Sequence, residues 1–198
     1  MFGAALRVTA AILVLTAVLP LPAAAARVAG VAPRAPGSGL AAIPPRYLTW
    51  YMAAARTCPG LRWEVLAAIG TVESDNGRSH ARGVHRGKNR KGAEGPMQFE
   101  PGTFREYAVR ADRSAPLTPY DPQDAIFTAA RMLCADGARG GTAKGLRGAI
   151  FAYNHAKWYV REVLALAARY TAAARALCPP PRRVHLGHWQ PRVRGRHC

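Results

Sequence analysis

The sequence of 198 residues has few carboxylates and no pattern typical of a β-sheet. Eleven Asp and Glu residues stand against 28 Lys and Arg residues, which gives a formal charge of +17. No segment alternates apolar and polar residues convincingly over the length of a strand, and we find no internal repeat, so we expect a mainly helical protein. A charge of this size indicates attraction to polyanions, although an Arg- and Ala-rich composition is also typical of a high-GC coding bias.

Short metal-binding spacings are missing as well. The chain contains neither a CxxC nor an HExxH segment. These two spacings are typical of zinc sites. His80 and His85 lie in a polar, basic and Gly-rich segment from residue 79 to residue 95. Isolated histidines in such a segment are usually solvated, so we predict no metal and no cofactor.

Cysteine is scarce but even in number, with four residues in the chain. An even number in an exported chain predicts disulfides, and four cysteines allow three pairings. Cys58 closes one probable helix and Cys134 lies in another, so we favour a Cys58–Cys134 bond inside the packed part. Cys178 and Cys198 bracket the C-terminal tail and form the second predicted pair.

Only the N-terminus carries a long apolar run, and that run is too short for a confident membrane span. Arg7 precedes it and an Ala-rich stretch follows, as in a secretory signal peptide, which we place at residues 1–26. Residues 27–42 are interpreted as a linker, residues 43–177 as one domain and residues 178–198 as a basic Pro- and Arg-rich tail. We therefore expect a secreted protein with no membrane span after removal of the signal; a retained anchor is the alternative.

Helical spacing and turn residues place six helices in residues 43–177. The predicted helices are Arg46–Thr57, one from Leu61 to the Asn76-Gly77 pair, a short one from Pro101, Gln123–Ala135, Leu146–Asn154, and Trp158 to about Leu177. Asp121 is suitably placed to cap the fourth helix.

The second predicted helix carries the carboxylate that we regard as the best candidate for catalysis. Leu66, Ile69 and Glu73 share one face, so an apolar stripe ends in an acidic side chain. Desolvation raises the pKa of such a carboxyl group, and an acid that keeps its proton near neutral pH can protonate a leaving oxygen. Gly70, one turn earlier, would let another part of the chain or a ligand approach closely. On the helix alone, a solvated surface glutamate remains the alternative.

Four short motifs follow one another in the chain. They are Glu73-Ser74, Gly95-Pro96-Met97-Gln98-Phe99, Tyr120-Asp121-Pro122 and Ala152-Tyr153-Asn154. Together, from about Ile43 to Tyr170, they make the sequence resemble the lytic transglycosylases, which cleave peptidoglycan with a lysozyme-like helical domain of goose-lysozyme type. The resemblance is greatest to secreted actinobacterial forms and to the soluble and membrane-bound B types.

The resemblance implies a mechanism that depends on Glu73 alone. This residue would protonate the oxygen between N-acetylmuramic acid and N-acetylglucosamine, with help from the substrate's own N-acetyl group. It would then deprotonate the muramic C6 hydroxyl and leave a 1,6-anhydro sugar without consuming water. The substrate-binding residues implied by the motifs are Ser74, Met97, Gln98, Phe99, Tyr153 and Asn154.

Side-chain chemistry gives each motif residue a role. Gln98 can both donate hydrogen bonds to an amino sugar and accept them from it, and Met97 and Phe99 offer apolar contact or ordinary core packing. Tyr153 could donate a hydrogen bond to Glu73. The alternative role for Asn154 is to cap its helix, and for Ser74 it is to steady the end of the helix that carries Glu73.

Several functions stay open at this stage. A muramidase, which is a two-carboxylate hydrolase on the same fold, would need a second acid. Asp75 lies about 200° round the helix from Glu73 and so faces away. Glu94 and Glu100 are expected to be solvated rim residues. A non-catalytic wall-binding protein and a cationic protein that binds nucleic acid or membranes are further alternatives. We expect a monomer associated with the cell wall. Its partners would be peptidoglycan strands and, through the basic surface and tail, anionic wall polymers, with no specific nucleic acid.

Overall fold

The computed structural model describes residues 39–177, in which helices are the only regular secondary structure. The α-helices are α1 (Pro45–Ala55), α2 (Trp63–Ser74), α3 (Pro101–Tyr107), α4 (Pro122–Leu133), α5 (Ala143–Tyr153) and α6 (Lys157–Leu177), with a 3₁₀ turn at Leu40–Ala42 and a π-helical turn at Cys134–Ala138. The mainly helical architecture predicted from the sequence is confirmed. The predicted signal peptide, most of the predicted linker, the basic tail and the Cys178–Cys198 pair lie outside the described residues. Within the described part, no helix is both long and apolar enough to span a membrane.

The helix starts follow ordinary capping chemistry. Proline occupies the first turn of α1, α3 and α4, where its missing N–H costs nothing. Asp121 accepts a hydrogen bond from the Asp124 N–H at 2.9 Å, which confirms its predicted role as the cap of α4. Helix α5 begins at Ala143, three residues before the predicted start, because the Thr142 hydroxyl caps it by accepting from the Gly145 N–H.

Helix α2 forms the centre of the domain, in contact with α1, α4 and α6. Its residues from Val65 to Thr71 are all buried. A helix that is apolar on every side is stable only when neighbours cover it all round. The element that carries Glu73 is therefore fixed in place by the core on several sides.

A close helix contact depends on Gly70. A Cβ added to Gly70 would lie 1.9 Å from the Tyr51 hydroxyl oxygen, so only glycine admits α1 at this point. The Tyr51 hydroxyl donates to Asn76 Oδ1 at 2.8 Å, and Asn76 Nδ2 donates to Thr71 Oγ1 at 3.0 Å. Thr71 Oγ1 also contacts the Tyr170 hydroxyl at 2.8 Å. The predicted close approach at Gly70 is confirmed, and a buried polar network joins α1, α6 and the end of α2.

One disulfide links the turn after α1 to the end of α4. Cys58 and Cys134 are bonded, with Cα atoms 5.7 Å apart and a sequence separation of 76, which confirms the predicted pair. In the chain-entropy account, closing a loop of this length stabilises a fold by about 4.5 kcal/mol.

Candidate active site

The chain leaves α2 through a left-handed turn that begins two residues after Glu73. Asp75, Asn76 and Gly77 have φ angles of +53°, +55° and +76°. The predicted helix end at Asn76-Gly77 is confirmed, and it begins one residue earlier, at Asp75. Asp75 is exposed and pairs with Arg78, so it is not a second acid beside Glu73.

Ser74 anchors this turn to the neighbouring loop. Its side chain is buried, donates to the Pro96 carbonyl at 2.6 Å and accepts from the Gly77 N–H at 2.8 Å. Met97 is fully buried as well, and neither residue lines the cleft described below. Their predicted substrate contacts are therefore corrected: tertiary packing turns both side chains into the core, where they support the site from beneath.

The loop from Gly95 to Phe99 presents one amide to solvent. Glu94 and Phe99 exchange backbone hydrogen bonds at 2.8 and 2.9 Å, and Gln98 at the tip has a φ of +50°. Gly95 has a φ of +77°, and a Cβ there would overlap the Pro119 carbonyl oxygen. This tight loop leaves Gln98 partly exposed between two buried apolar residues.

The amide of Gln98 is held at both ends. Its Nε2 donates to the Gly95 carbonyl at 2.7 Å, and its Oε1 accepts from Asn89 Nδ2 at 2.9 Å. Asn89 is fixed in turn by the Lys91 and Ala93 N–H groups, which donate to its Oδ1. One N–H and one lone pair of Gln98 remain for a ligand. Asn89 was not predicted from the sequence, because an Asn in a polar loop gives no distinguishing signal.

Glu73 sits half-buried where α2 meets the cleft. Burial raises the pKa of its carboxyl group to about 7, and a hydrogen bond from the Tyr159 hydroxyl to Oε1 partly opposes that rise. Desolvation therefore outweighs the hydrogen bond. A large fraction of Glu73 keeps its proton near neutral pH, as a proton donor must.

The phenol beside Glu73 belongs to Tyr159 and not to Tyr153, which corrects the predicted contact. Tyr153 donates to the Met97 carbonyl at 2.8 Å, and its ring packs against Phe99 with centroids 5.6 Å apart. Tyr159 is 1% exposed, and burial together with the negative charge of Glu73 raises the pKa of its hydroxyl, which keeps it a donor. The signal for Tyr159 was present in the helical spacing that it shares with the buried residues of α6.

These residues open on a cleft of about 550 Å³. Five predicted site residues line it: Glu73, Gln98, Phe99, Tyr153 and Asn154. Asn154 ends α5 in an extended conformation, so it occupies the cap position and the cleft wall at once. The remaining lining residues are Asn89, Lys91, Ala93, Glu100, Thr103, Met132, Ala152, His155 and Trp158.

The other predicted carboxylates do not complete a buried acid pair. Glu100 lines the cleft but is exposed, as expected for a rim residue. The Glu94 side chain is only 15% exposed, lies 3.6 Å from Lys88 Nζ and lines a different cavity, so its predicted rim position is corrected. Glu73 is therefore the only half-buried carboxylate that lines the cleft within residues 39–177.

Two other cavities lie within residues 39–177, and the smaller, of about 360 Å³, is the one lined by Glu94. The larger cavity, of about 630 Å³, lies beside the disulfide, but none of the residues that line it is an Asp or a Glu. Within residues 39–177, no cluster of three His, Cys, Asp or Glu side chains could hold a metal ion. Among the described carboxylates that line the cleft and these cavities, Glu73 is the one whose pKa burial raises to about 7.

Comparison with protein families identifies the domain that contains this cleft. The model of the transglycosylase SLT domain matches residues 50–174, which include Glu73 and every predicted substrate-binding residue. The chain belongs to the SLT family of peptidoglycan lytic transglycosylases. The resemblance predicted from the four motifs is thus confirmed, and so are the enzyme class and the peptidoglycan substrate.

Solved structures show the same fold for this SLT-family domain. It is similar to the Escherichia coli lytic transglycosylase SLT35 in complex with bulgecin A, with 18% identity, a TM-score of 0.52, and coverage of 72% of this chain and 81% of that one. The complex of SLT35 with calcium gives 17% identity, a TM-score of 0.54, and 71% and 81% coverage. A 36 kDa muramidase/transglycosylase gives 17% identity and a TM-score of 0.54, with coverage of 71% of this chain and 82% of that one. A search of curated proteins finds no match. The predicted lysozyme-like fold is confirmed.

Proposed function

We propose that Glu73 is the single catalytic acid/base of this lytic transglycosylase. It would cleave the β-1,4 bond between N-acetylmuramic acid and N-acetylglucosamine and leave a 1,6-anhydro-muramic end. The observation that carries the proposal is the raised pKa of Glu73, the one half-buried carboxyl group that lines the cleft within residues 39–177. General acid catalysis is most efficient when the pKa of the acid lies near the working pH.

In the first step, protonated Glu73 gives its proton to the glycosidic oxygen. Tyr159 occupies Oε1, which leaves Oε2 to carry the transferred proton. As the bond to the leaving sugar breaks, the carbonyl oxygen of the muramic N-acetyl group bonds to the anomeric carbon. The amides of Gln98 and Asn154, both on the cleft wall, are suited to orient that N-acetyl group.

In the second step, the Glu73 carboxylate takes the proton of the muramic C6 hydroxyl. The C6 oxygen then attacks the anomeric carbon, the N-acetyl group is released unchanged, and the anhydro ring closes. Glu73 ends the cycle protonated, so protons balance and no water is consumed. This route needs one carboxylate, which agrees with the lack of a second half-buried acid among the described cleft residues.

Hydrolysis is the competing outcome, because Glu100 lines the same cleft and could activate water. Digestion of purified peptidoglycan by the wild type, Glu73→Gln and Glu100→Gln, followed by mass spectrometry, separates the two. We expect anhydro products from the wild type and from Glu100→Gln, and a rate about 10²–10⁴-fold lower for Glu73→Gln. Products heavier by one water would show a muramidase, and full activity of Glu73→Gln would exclude Glu73 as the acid.

We also propose that the enzyme is exported through residues 1–26, has no membrane span after cleavage, and works as a monomer at the cell wall. Its basic surface supports attraction to anionic wall polymers. Residues 79–95 alone carry five Lys and Arg residues against one carboxylate, and Lys91 of that segment lines the cleft. Such attraction weakens as salt screens the charges.

A non-catalytic wall-binding role, the other alternative, does not agree with membership of the SLT family. The wild-type digest distinguishes that alternative directly, because any anhydro product requires catalysis. The basic tail, which this alternative would use, lies outside the described residues.

A further inference from the structure

Trp158 exposes a large aromatic surface at the cleft. Its side chain is 54% exposed, and it lines the same cleft as Glu73. The other large apolar side chains with high exposure in residues 39–177 are Met52, Leu117, Phe151 and Leu177, and none of these lines that cleft. The exposed indole therefore coincides with the one place where a ligand is expected.

The position of Trp158 is tied to the catalytic carboxyl group. It lies in the first turn of α6, immediately before Tyr159, whose hydroxyl contacts Glu73. The two rings are packed edge to face, with centroids 5.8 Å apart. Because Tyr159 is buried and fixed, one edge of the indole is held against a rigid neighbour while the rest faces solvent.

Packing alone does not account for so exposed an indole. Burial of a tryptophan is a large source of stability, and one that remains exposed forgoes most of that gain. Pyranose rings carry apolar C–H faces between polar hydroxyl edges, and an indole offers a flat apolar face with one N–H. Ligand sites combine such aromatic walls with a few oriented polar groups, which here are Gln98 and Asn154.

We propose that Trp158 is a sugar-stacking subsite for the glycan strand, and that it takes the pyranose ring next to the one that reacts at Glu73. The nature of the ligand rests on the proposed function; the stacking role rests on the exposure and position of the indole. Stacking would hold the strand in register over the carboxyl group without taking part in the chemistry.

The test measures binding without cleavage. N-acetylglucosamine hexasaccharide is titrated calorimetrically into the full chain carrying Glu73→Gln, with and without Trp158→Ala. Covering an exposed indole is worth about a factor of ten in affinity, so we expect the dissociation constant to rise about tenfold. Trp158→Tyr, which keeps an aromatic face, should recover most of the affinity.

Phe151→Ala is the matched control, since it removes an exposed aromatic side chain that does not line the cleft. It should leave the affinity unchanged. Equal affinity with and without Trp158→Ala, or an equal loss in Phe151→Ala, would overturn the proposal, and so would a failure of Trp158→Tyr to recover binding. Because cleavage is never measured, a wrong assignment of Glu73 would show in the peptidoglycan digest and not in this titration.

Discussion

Replacing Glu73 by Gln should stabilise the folded protein at alkaline pH. The pKa of the carboxyl group is about 7 in the folded state against an ordinary value of 4.5, so the folded state holds this proton more tightly than the unfolded chain. Stability therefore falls as the pH rises from about 4.5 to about 7, and the whole penalty is present above pH 7. A glutamine has nearly the same shape and never ionises, so it escapes the penalty.

The size of the effect follows from the two pKa values. The interval from 4.5 to about 7, at about 1.4 kcal/mol per pKa unit, corresponds to about 3 kcal/mol at pH 8. For a domain of this size that difference raises the Tm by roughly 10 °C. At pH 4 both side chains are neutral, and the two proteins should unfold at nearly the same temperature.

Thermal unfolding of the wild type and Glu73→Gln between pH 4 and pH 8 provides the assay. Glu100→Gln removes an exposed carboxylate from the same cleft, and its stability should follow that of the wild type. Two results would refute the reasoning: a stability difference between wild type and Glu73→Gln that does not grow with pH, or a Glu73→Gln variant that is less stable at pH 8.

Two further substitutions test the surroundings of the acid. Tyr159→Phe removes the hydrogen bond that lowers the pKa of Glu73. In the wild type, kcat/KM should fall above about pH 7. In Tyr159→Phe, kcat/KM should have a lower maximum and should begin to fall at a higher pH. An unmoved alkaline limb in the pH–rate profile would contradict this. Gly70→Ala should destabilise the protein by about 1–3 kcal/mol in urea unfolding, because its Cβ would collide with a phenol. Gly148→Ala, in open space on α5, should stabilise it by about 0.4–1 kcal/mol, and effects of the same sign would be evidence against the packing argument.

Local patterns in the sequence were sufficient for much of the fold. The spacing of Leu66, Ile69 and Glu73 placed the acid on the last turn of α2, and the Asn76-Gly77 pair located the helix end. These features depend on neighbours within about one helical turn, which a sequence displays directly. The Cys58–Cys134 bond was also predictable, because both residues belong to the packed part of the chain.

Contacts between distant segments were not predictable in the same way. Tyr153 was expected beside Glu73 because it belongs to a motif, but the packing of α5 directs its hydroxyl to the Met97 carbonyl. Tyr159 contacts the carboxyl group across 86 residues of sequence, and its spacing indicated only that it faces the core. Ser74 was similarly ambiguous until the loop that contains Pro96 was placed against it.

The same limit applies to the cleft wall. Asn89 and Trp158 lie in segments whose composition indicates a polar loop and the start of a helix, and only their arrangement in space brings them to the cleft. Their exposure and hydrogen bonds depend on how the loop and α6 meet α2. Sequence therefore predicted the candidate acid, and tertiary structure shows which other side chains reach the cleft.

Direct titration of the Glu73 side chain is the sharpest test of this account. The carboxyl carbons of glutamate labelled with ¹³C can be followed by NMR from pH 3 to pH 9, and the resonance absent from Glu73→Gln belongs to Glu73. We predict that this resonance titrates with a pKa of about 7. A midpoint near the ordinary 4.5 would mean that the group is ionised at neutral pH, and the proposed proton donor would be contradicted.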